Sequence, residues 1–297
     1  MAVVLITGCS SGIGFETALA FARQGDTVAA SMRNTAAGAE RLQQRAKEEG
    51  LEIDVVALDV TDDESVGSAV RDIETRLGPI DVLVNNAGVG YSGPIETIDV
   101  DRARAVLETN YWGPFRTIRA VLPPMRARQT GVIINVTSAA GRVPGSGYNA
   151  FYCSSKHALG ALTESLAMEV GAFGIRTLCI EPGFFATDIF AKSEWGDVDE
   201  STPYAADNKW ISDFYVTSGE QAGADPSAVA DAIVSAANDD TTPTHVLVGD
   251  DAHQFVDIVT QAGTFEAWLP IAEQIVGGVA GPRPVTVKYP IYPASGE

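Results

Sequence analysis

A tyrosine and a lysine four positions apart, Tyr152 and Lys156, have the types and spacing of residues that could do chemistry. They begin the segment YCSSKHALGALTESLAMEV (152–170), whose apolar residues recur at helical spacing. On a helix, residues four apart lie on one face. A free phenol, with a pKa of about 10, is a poor base near neutrality, and a neighbouring ammonium favours its ionised form. The pair therefore predicts a phenol that exchanges a proton; an ordinary surface pair is the alternative.

A glycine-rich turn, ITGCSSGIG (6–14), lies between the first apolar run and a helical pattern. Glycines allow the backbone to approach a pyrophosphate, and the following helix directs its N–H groups and positive dipole end at the phosphates. The spacing is Gly-x3-Gly-x-Gly, and a merely tight connection is the alternative. The predicted dinucleotide contacts in this turn are Gly8, Ser10, Ser11, Gly12, Ile13 and Gly14.

The end of the second strand predicts which dinucleotide is bound. A carboxylate at this point would bind the ribose hydroxyls and repel a 2′-phosphate, but the sequence has Met32 followed by Arg33. A guanidinium suits a phosphate, and Ser11 could donate a further hydrogen bond. The sequence therefore favours NADP(H) over NAD(H); the alternative is that Arg33 is an ordinary surface arginine.

These residues must be positioned by strands that alternate with helix-length segments. The predicted strands are continuous apolar runs, typical of strands covered on both faces: AVVLIT, TVAAS, DVVALDV, IDVLVNNAG, GVIINVTS, IRTLCIEPG and HVLVG. This alternation predicts a single α/β domain over residues 1–297, a Rossmann-type doubly wound parallel sheet of about seven strands with helices on both faces.

Two regions interrupt this rhythm. Residues 184–224 are rich in acids and aromatic residues and follow the sixth strand, which suits a lid over a ligand; a surface insertion with its own small core is an equal alternative. The aromatic residues are Phe184, Phe185, Phe190, Trp195, Trp210, Phe214 and Tyr215. The proline-rich tail, residues 281–297, is expected to pack extended on the surface or against a partner subunit.

Composition limits the partners and the compartment. The net charge is −19, and after residue 190 there are 17 acidic residues against 4 basic ones, which disfavours nucleic acid or an anionic membrane as a partner. No apolar run is long enough to span a bilayer, and the N-terminus does not resemble a signal peptide. Cys9, Cys153 and Cys179 lack paired spacing, which favours a reducing cytoplasm. The scattered His157, His245 and His253 predict no metal site.

Seven motifs then occur in one order along the chain. They are TGCSSGIG (7–14), LDV (58–60), NNAG (85–88), Asn110 in ETNYWG, Ser138 in NVTSAAG, YCSSK (152–156) and EPGFFATD (181–188). In these motifs the chain resembles the classical short-chain dehydrogenase/reductase family, and in particular its hydroxysteroid and retinol dehydrogenase branch with its bacterial relatives. The resemblance implies hydride transfer between nicotinamide and a carbonyl or secondary alcohol.

The resemblance also implies roles for residues. Tyr152 would donate or accept the proton with help from Lys156, Ser138 would hydrogen-bond the substrate oxygen, and Asn110 would hold a water that links Lys156 to solvent. Ser138 lies 14 residues before Tyr152, where a gap of 13 is familiar, so Thr137 stays an alternative. The implied cofactor contacts are Asp59, Val60, Asn86, Ala87, Gly88, Pro182, Gly183 and Thr187, besides Tyr152 and Lys156. Asp59 could instead cap a turn, and Asn86 could order the sheet.

The expected substrate is a bulky apolar ketone or alcohol, with Tyr91, Tyr148 and Phe151 near the lid aromatics. In such families the helices of Tyr152 and Asn110 commonly pair between subunits, which predicts a homodimer or homotetramer. An epimerase or dehydratase on the same scaffold, and a regulator that only senses NADP(H), are the alternative functions. Such regulators usually lose the tyrosine or the lysine, and both are present.

Overall fold

Seven parallel strands form one sheet in the order β3-β2-β1-β4-β5-β6-β7. The computed structural model describes residues 1–143, 147–187, 200–221 and 224–286. The strands are β1 (Val3–Thr7), β2 (Thr27–Met32), β3 (Asp54–Ala57), β4 (Val82–Asn85), β5 (Gly131–Val136), β6 (Ile175–Pro182) and β7 (His245–Val248). The predicted seven-stranded, doubly wound parallel sheet is confirmed.

Ten α-helices lie within the described ranges. They are α1 (Gly12–Arg23), α2 (Thr35–Glu48), α3 (Asp63–Arg76), α4 (Val100–Leu107), α5 (Gly113–Arg128), α6 (Ala150–Val170), α7 (Ala205–Gln221), α8 (Ser227–Asn238), α9 (Asp250–Ala262) and α10 (Phe265–Ala280). A π-helical turn, Glu108–Trp112, joins α4 to α5. None of these helices has both the length and the apolar character that a membrane crossing requires.

Each face of the sheet buries its own apolar core, which explains why the strands are unbroken apolar runs. In β1, Val4 and Ile6 pack on one face with residues of α1, α2 and α8. Val3 and Leu5 pack on the other face with residues of α3, α5 and α6. Because successive side chains of a strand point to opposite faces, every residue of a strand between two helix layers must be apolar or satisfied.

The sheet reverses its direction of growth between β1 and β4, which are neighbours although two strands lie between them in sequence. Parallel α/β sheets bind ligands beyond the carboxyl ends of the strands, at such a switch point. The residues that follow β1 and β4 are therefore expected to form a ligand-binding site.

The region predicted as a lid contains α7, which packs against α10. Aromatic and aliphatic residues of both helices form a separate small core around Trp210, Ile211, Phe214 and Val276. The two interpretations of this region are therefore not exclusive, since it has its own core and also borders the cavity described below. Phe190, Trp195 and tail residues 287–297 lie outside the described residues.

Candidate active site

A cavity of about 590 Å³ lies at the carboxyl ends of the central strands, and this volume is in the usual range for sites of small molecules. Its walls carry the residues that follow β1, β4, β5 and β6 together with the start of α6. All but two of the predicted site residues line it: Gly8, Ser10, Ser11, Gly12, Ile13, Arg33, Asp59, Val60, Asn86, Ala87, Gly88, Ser138, Tyr152, Lys156, Pro182, Gly183 and Thr187.

The glycine turn fits a dinucleotide phosphate site. Gly8 and Gly12 have positive φ angles of 76° and 60°, which side chains other than glycine rarely adopt. Gly12 begins α1, whose first turn contains no acidic residue and is not capped by the side chain of Ser11. The positive end of the α1 dipole therefore faces the cavity.

Gly14 does not line the cavity, but its lack of a side chain allows α1 to pack closely against the glycine turn. A Cβ atom at this position would lie 2.5 Å from the Gly8 carbonyl oxygen and 2.4 Å from Nδ2 of Asn86. That Nδ2 donates to the carbonyl oxygens of Thr7 at 2.9 Å and Gly8 at 3.2 Å. Asn86 thus connects the end of β4 to the end of β1, as expected if it orders the sheet. It also lines the cavity, as expected of a cofactor contact.

Asn110 is the other predicted residue that does not line the cavity. It is buried in the π-helical turn, and its Oδ1 accepts from the Val89 N–H at 2.9 Å. Its Nδ2 donates to the Val89 carbonyl oxygen at 2.9 Å and to Oγ of Ser155 at 3.0 Å. Single π turns recur at functional sites, and this one positions the segment Gly88–Gly90 that does line the cavity.

The ends of β2 and β3 form the distal part of the cavity. Arg33 is exposed there and has no ion-pair partner among the described residues. The carboxylate of Asp59 accepts from the Thr61 N–H at 2.9 Å and the Thr61 hydroxyl at 2.8 Å. Asp59 therefore caps a turn, which was the alternative to a cofactor contact. It also lines the cavity.

Tyr152, Lys156 and Ser138 meet at the proximal end of the cavity. The Nζ atom of Lys156 lies 5.7 Å from the centre of the Tyr152 ring and donates to the Val136 carbonyl oxygen at 2.9 Å. Ser138 lies close enough to Tyr152 to lower the pKa of the phenol, and its Oγ accepts from the Ala140 N–H at 3.1 Å. The Thr137 hydroxyl instead donates to the Ile180 carbonyl oxygen within the sheet at 3.1 Å, so the geometry favours Ser138 over Thr137.

Burial dominates the ionisation of this group. It raises the pKa of the Tyr152 phenol to about 12, against the opposing effect of Ser138. It lowers the pKa of Lys156 to about 8, because a buried ammonium loses its hydration. In the protein chain by itself burial therefore determines the pKa of Tyr152, and its lowering by Lys156 together with the positive charge of an oxidised nicotinamide stays a prediction.

A largely apolar wall also lines the cavity, and part of it was not predicted. Phe184, Phe185, Phe214 and Tyr215 belong to the predicted lid. The helices α9 and α10 add one acidic residue, Asp251, and the following apolar ones: Phe255, Trp268, Ala272, Ile275 and Val276. Their apolar spacing in residues 250–280 is the signal that could have indicated them. Trp210, Tyr91, Tyr148 and Phe151 do not line the cavity, although Tyr148 and Trp210 belong to the adjoining small core.

The first residues after α10 hold α7, which contributes to this wall, in place. Arg283 donates through Nε and Nη2 to the buried carboxylate of Asp207 on α7, at 2.7 and 2.6 Å. The same carboxylate accepts from the Tyr148 hydroxyl at 2.8 Å. Arg283 also stacks 5.3 Å above the Trp210 ring. The segment 281–286 is therefore held against α7 and linked to the loop before α6.

Comparisons with known proteins agree with this architecture. Residues 2–196 match the family model described as short chain dehydrogenase. Oxidoreductase BOA17 of Botryotinia fuckeliana (strain B05.10) is 36% identical over 252 residues, 84% of this chain and 89% of that protein. Retinol dehydrogenase 8 of Bos taurus is 40% identical over 192 residues, 64% of this chain and 61% of that protein.

Two solved structures are also similar. A short-chain dehydrogenase from Streptomyces avermitilis has a TM-score of 0.77 at 33% identity, covering 91% of this chain and 97% of that one. An alcohol dehydrogenase from Thermococcus sibiricus complexed with 5-hydroxy-NADP has a TM-score of 0.68 at 26% identity, covering 83% and 95%. The chain therefore belongs to the short-chain dehydrogenase family. It is an oxidoreductase that uses NAD or NADP.

Proposed function

We propose that this protein is an NADP(H)-dependent ketoreductase that interconverts a bulky apolar ketone and its secondary alcohol. The observation that carries the proposal is the meeting of Tyr152, Ser138 and Lys156 at one end of a cavity whose other end is the glycine turn. The bound dinucleotide supplies or accepts the hydride at its nicotinamide. The chain must bind and orient the reactants and move one proton.

Tyr152 is the proton donor in ketone reduction. Because its pKa lies near 12, the phenol keeps its proton at neutral pH and can give it to the substrate oxygen as negative charge develops there. Ser138 donates a second hydrogen bond to that oxygen. Lys156 stabilises the phenolate that remains, and Asn110 supports the neighbouring segment of the wall. In alcohol oxidation the same groups act in reverse.

The dinucleotide is held along the other predicted contacts. The phosphates are bound at the glycine turn by Gly8, Ser10, Ser11, Gly12 and Ile13, with Gly14 allowing the close approach of α1. Asp59 and Val60 bind the adenine end, Asn86, Ala87 and Gly88 a ribose, and Pro182, Gly183 and Thr187 the nicotinamide end. Arg33 binds the 2′-phosphate and makes NADP(H) the preferred cofactor; its unpaired charge at the distal end supports this.

The substrate side is apolar. Phe184, Phe214, Phe255 and Ile275 offer aromatic and aliphatic surface and only a few polar groups, which suits a steroid-sized or long-chain carbonyl compound. Residues 184–187 and 200–221 act as part of the lid together with α9 and α10. The similarity to retinol dehydrogenase 8 of Bos taurus supports a bulky apolar substrate.

A homodimer is the proposed assembly, with a homotetramer as the alternative. Three exposed large apolar side chains support pairing of α5 and α6 between subunits. Trp112, just before α5, is 45% exposed, Met168 on α6 is 88% exposed, and Phe173, just after α6, is 37% exposed. Size-exclusion chromatography with light scattering tests this, and a clean monomer would contradict it.

A panel of ketones and alcohols assayed with NADPH and NADP⁺ tests the proposed reaction. We expect ketone-dependent oxidation of NADPH that is strongest for bulky apolar ketones. Turnover that leaves the redox state of the dinucleotide unchanged would favour an epimerase or dehydratase. Tight NADPH binding without turnover of any substrate would favour a regulator.

A further inference from the structure

A second cluster of reactive side chains lies outside the cavity, where β6 meets β7. Cys179 and Glu181 share one face of β6, and Cys179 is paired with His245 of β7. One potential ligand atom from each of these three residues lies within 4.8 Å of the other two. The spacing along the chain did not indicate this group, because strand pairing joins residues that are distant in sequence.

The histidine is held in the orientation that a metal ligand needs. Its Nε2 lies 2.9 Å from Oε1 of Glu164 on α6, and its Nδ1 lies 2.9 Å from Oε1 of Glu181. A carboxylate on one ring nitrogen fixes the tautomer and directs the other nitrogen at a metal. Glu164 therefore leaves Nδ1 for an ion that Glu181 and Cys179 share.

The spacing is close to that of a tetrahedral site. Ligands at the usual zinc distances of 2.0–2.3 Å are about 3.4–3.6 Å apart. Nδ1 and the Glu181 oxygen, which are 2.9 Å apart, must separate by about 0.5 Å. No pair in the cluster is more than 4.8 Å apart, so none must close by more than about 1 Å. Glu181 and Cys179 are buried, but the side chains of His245 and Glu164 are 26% and 61% exposed. They provide access from solvent and room for a water as fourth ligand.

A divalent ion would displace the Sγ proton of Cys179, because a metal-bound cysteine is a thiolate. Arg142 donates to Oε2 of Glu181 at 3.2 Å. It therefore keeps a partner when Oε1 of the same carboxylate binds the ion.

We propose that Cys179 Sγ, Glu181 Oε1 and His245 Nδ1 bind a divalent transition-metal ion of the zinc type, with Glu164 orienting the imidazole. A thiolate and an imidazole select zinc or cobalt over magnesium and calcium. Because the site joins β6 to β7 one residue before Pro182, the ion would stabilise the edge of the sheet beside the cavity. The proposal is independent of the proposed ketoreductase function.

Titration of the chelator-treated full chain with Co²⁺ tests the site. We expect uptake of one ion per chain, a thiolate-to-cobalt absorption band that Zn²⁺ abolishes, and a higher melting temperature. Cys179→Ser should remove the band, and His245→Gln should weaken binding at least 10-fold. Cys153→Ser and His253→Gln are matched controls that should retain the band and the affinity.

Glu164→Gln covers the case in which the buried variants do not fold, because Glu164 is largely exposed. We expect it to weaken binding about 10- to 100-fold with an unchanged band position. Weak uptake without the sulfur band, a band that persists in Cys179→Ser, or equal affinity in Glu164→Gln would each overturn the proposal. The cluster would then be only an ion-pair network.

Discussion

Lys156 and Tyr152 lie one helical turn apart on α6, and the lysine Nζ lies 5.7 Å from the centre of the phenol ring. The lysine does not donate to the phenol oxygen within the chain; it donates to the Val136 carbonyl oxygen at 2.9 Å and is only 4% exposed. The fold therefore holds a buried ammonium beside the phenol at a cost in hydration. We expect this arrangement to stabilise a phenolate at the moment when one forms.

The cost of burying Lys156 should depend on pH. Its pKa falls from 10.5 to about 8 on folding, so between these values the unfolded chain binds more protons at this site. The lysine therefore destabilises the fold fully below about pH 8, and this effect is lost as the pH rises towards 10.5. We expect the stability gained by Lys156→Met to be larger at about pH 7 than at about pH 9.5. Urea unfolding at both values measures it, and a gain independent of pH would contradict the assignment.

Gly14 should tolerate no side chain. In Gly14→Ala the Cβ would meet the Gly8 carbonyl oxygen at 2.5 Å, and backbone cannot yield as a flexible side chain can. We expect loss of dinucleotide binding and a lower melting temperature. Gly160→Ala on α6 is the control, because a Cβ there meets nothing within 4 Å. It should be stabilising by about 0.5–1 kcal/mol. Wild-type NADPH affinity in Gly14→Ala would show that α1 need not approach β1 so closely.

Arg33 should decide between the two dinucleotides. A charge-assisted contact is worth about 1.5–3 kcal/mol, so Arg33→Ala should lower kcat/KM for NADPH about 10- to 100-fold and change that for NADH less than about 3-fold. Arg45→Ala is the matched control, because Arg45 pairs with Glu49 at 2.8 Å and does not line the cavity. Equal losses with NADPH and NADH, or better use of NADH by the wild type, would refute the NADP(H) preference.

The apolar wall should select substrates by size. Burying a phenylalanine side chain contributes about 1.5–3 kcal/mol, so Phe255→Ala should lower kcat/KM about 10- to 100-fold for a bulky apolar ketone and less than about 3-fold for a small one. Phe265→Ala on the exposed side of α10 is the control, since Phe265 is 52% exposed. If both ketones lose activity equally, the wall does not contact the substrate.

The sequence predicted the sheet, and all but two of the predicted site residues line the cavity, because their signals are local. A buried parallel strand must be an apolar run, and a glycine turn must follow β1 directly. The motif around Tyr152 is also contained within one helical turn. Each of these signals can be recognised without knowledge of the rest of the chain.

The sequence did not indicate the properties that depend on distant residues. The raised pKa of Tyr152 results from burial that many elements create together. Phe255 and Trp268 reach the cavity because α9 and α10 fold back over it, which their local pattern does not indicate. The proximity of His245 to Cys179 depends on the pairing of β6 with β7. Such relationships become visible only in three dimensions.

Tyr152→Phe tests the central claim most directly. The variant keeps the ring and its packing but lacks the hydroxyl, so it should bind NADPH within about 3-fold of the wild type while ketone reduction falls at least 100-fold. Tyr91→Phe, at a tyrosine that does not line the cavity, should leave reduction unchanged. Ketone reduction by Tyr152→Phe at the wild-type rate would contradict the account, because the proton would then come from another group.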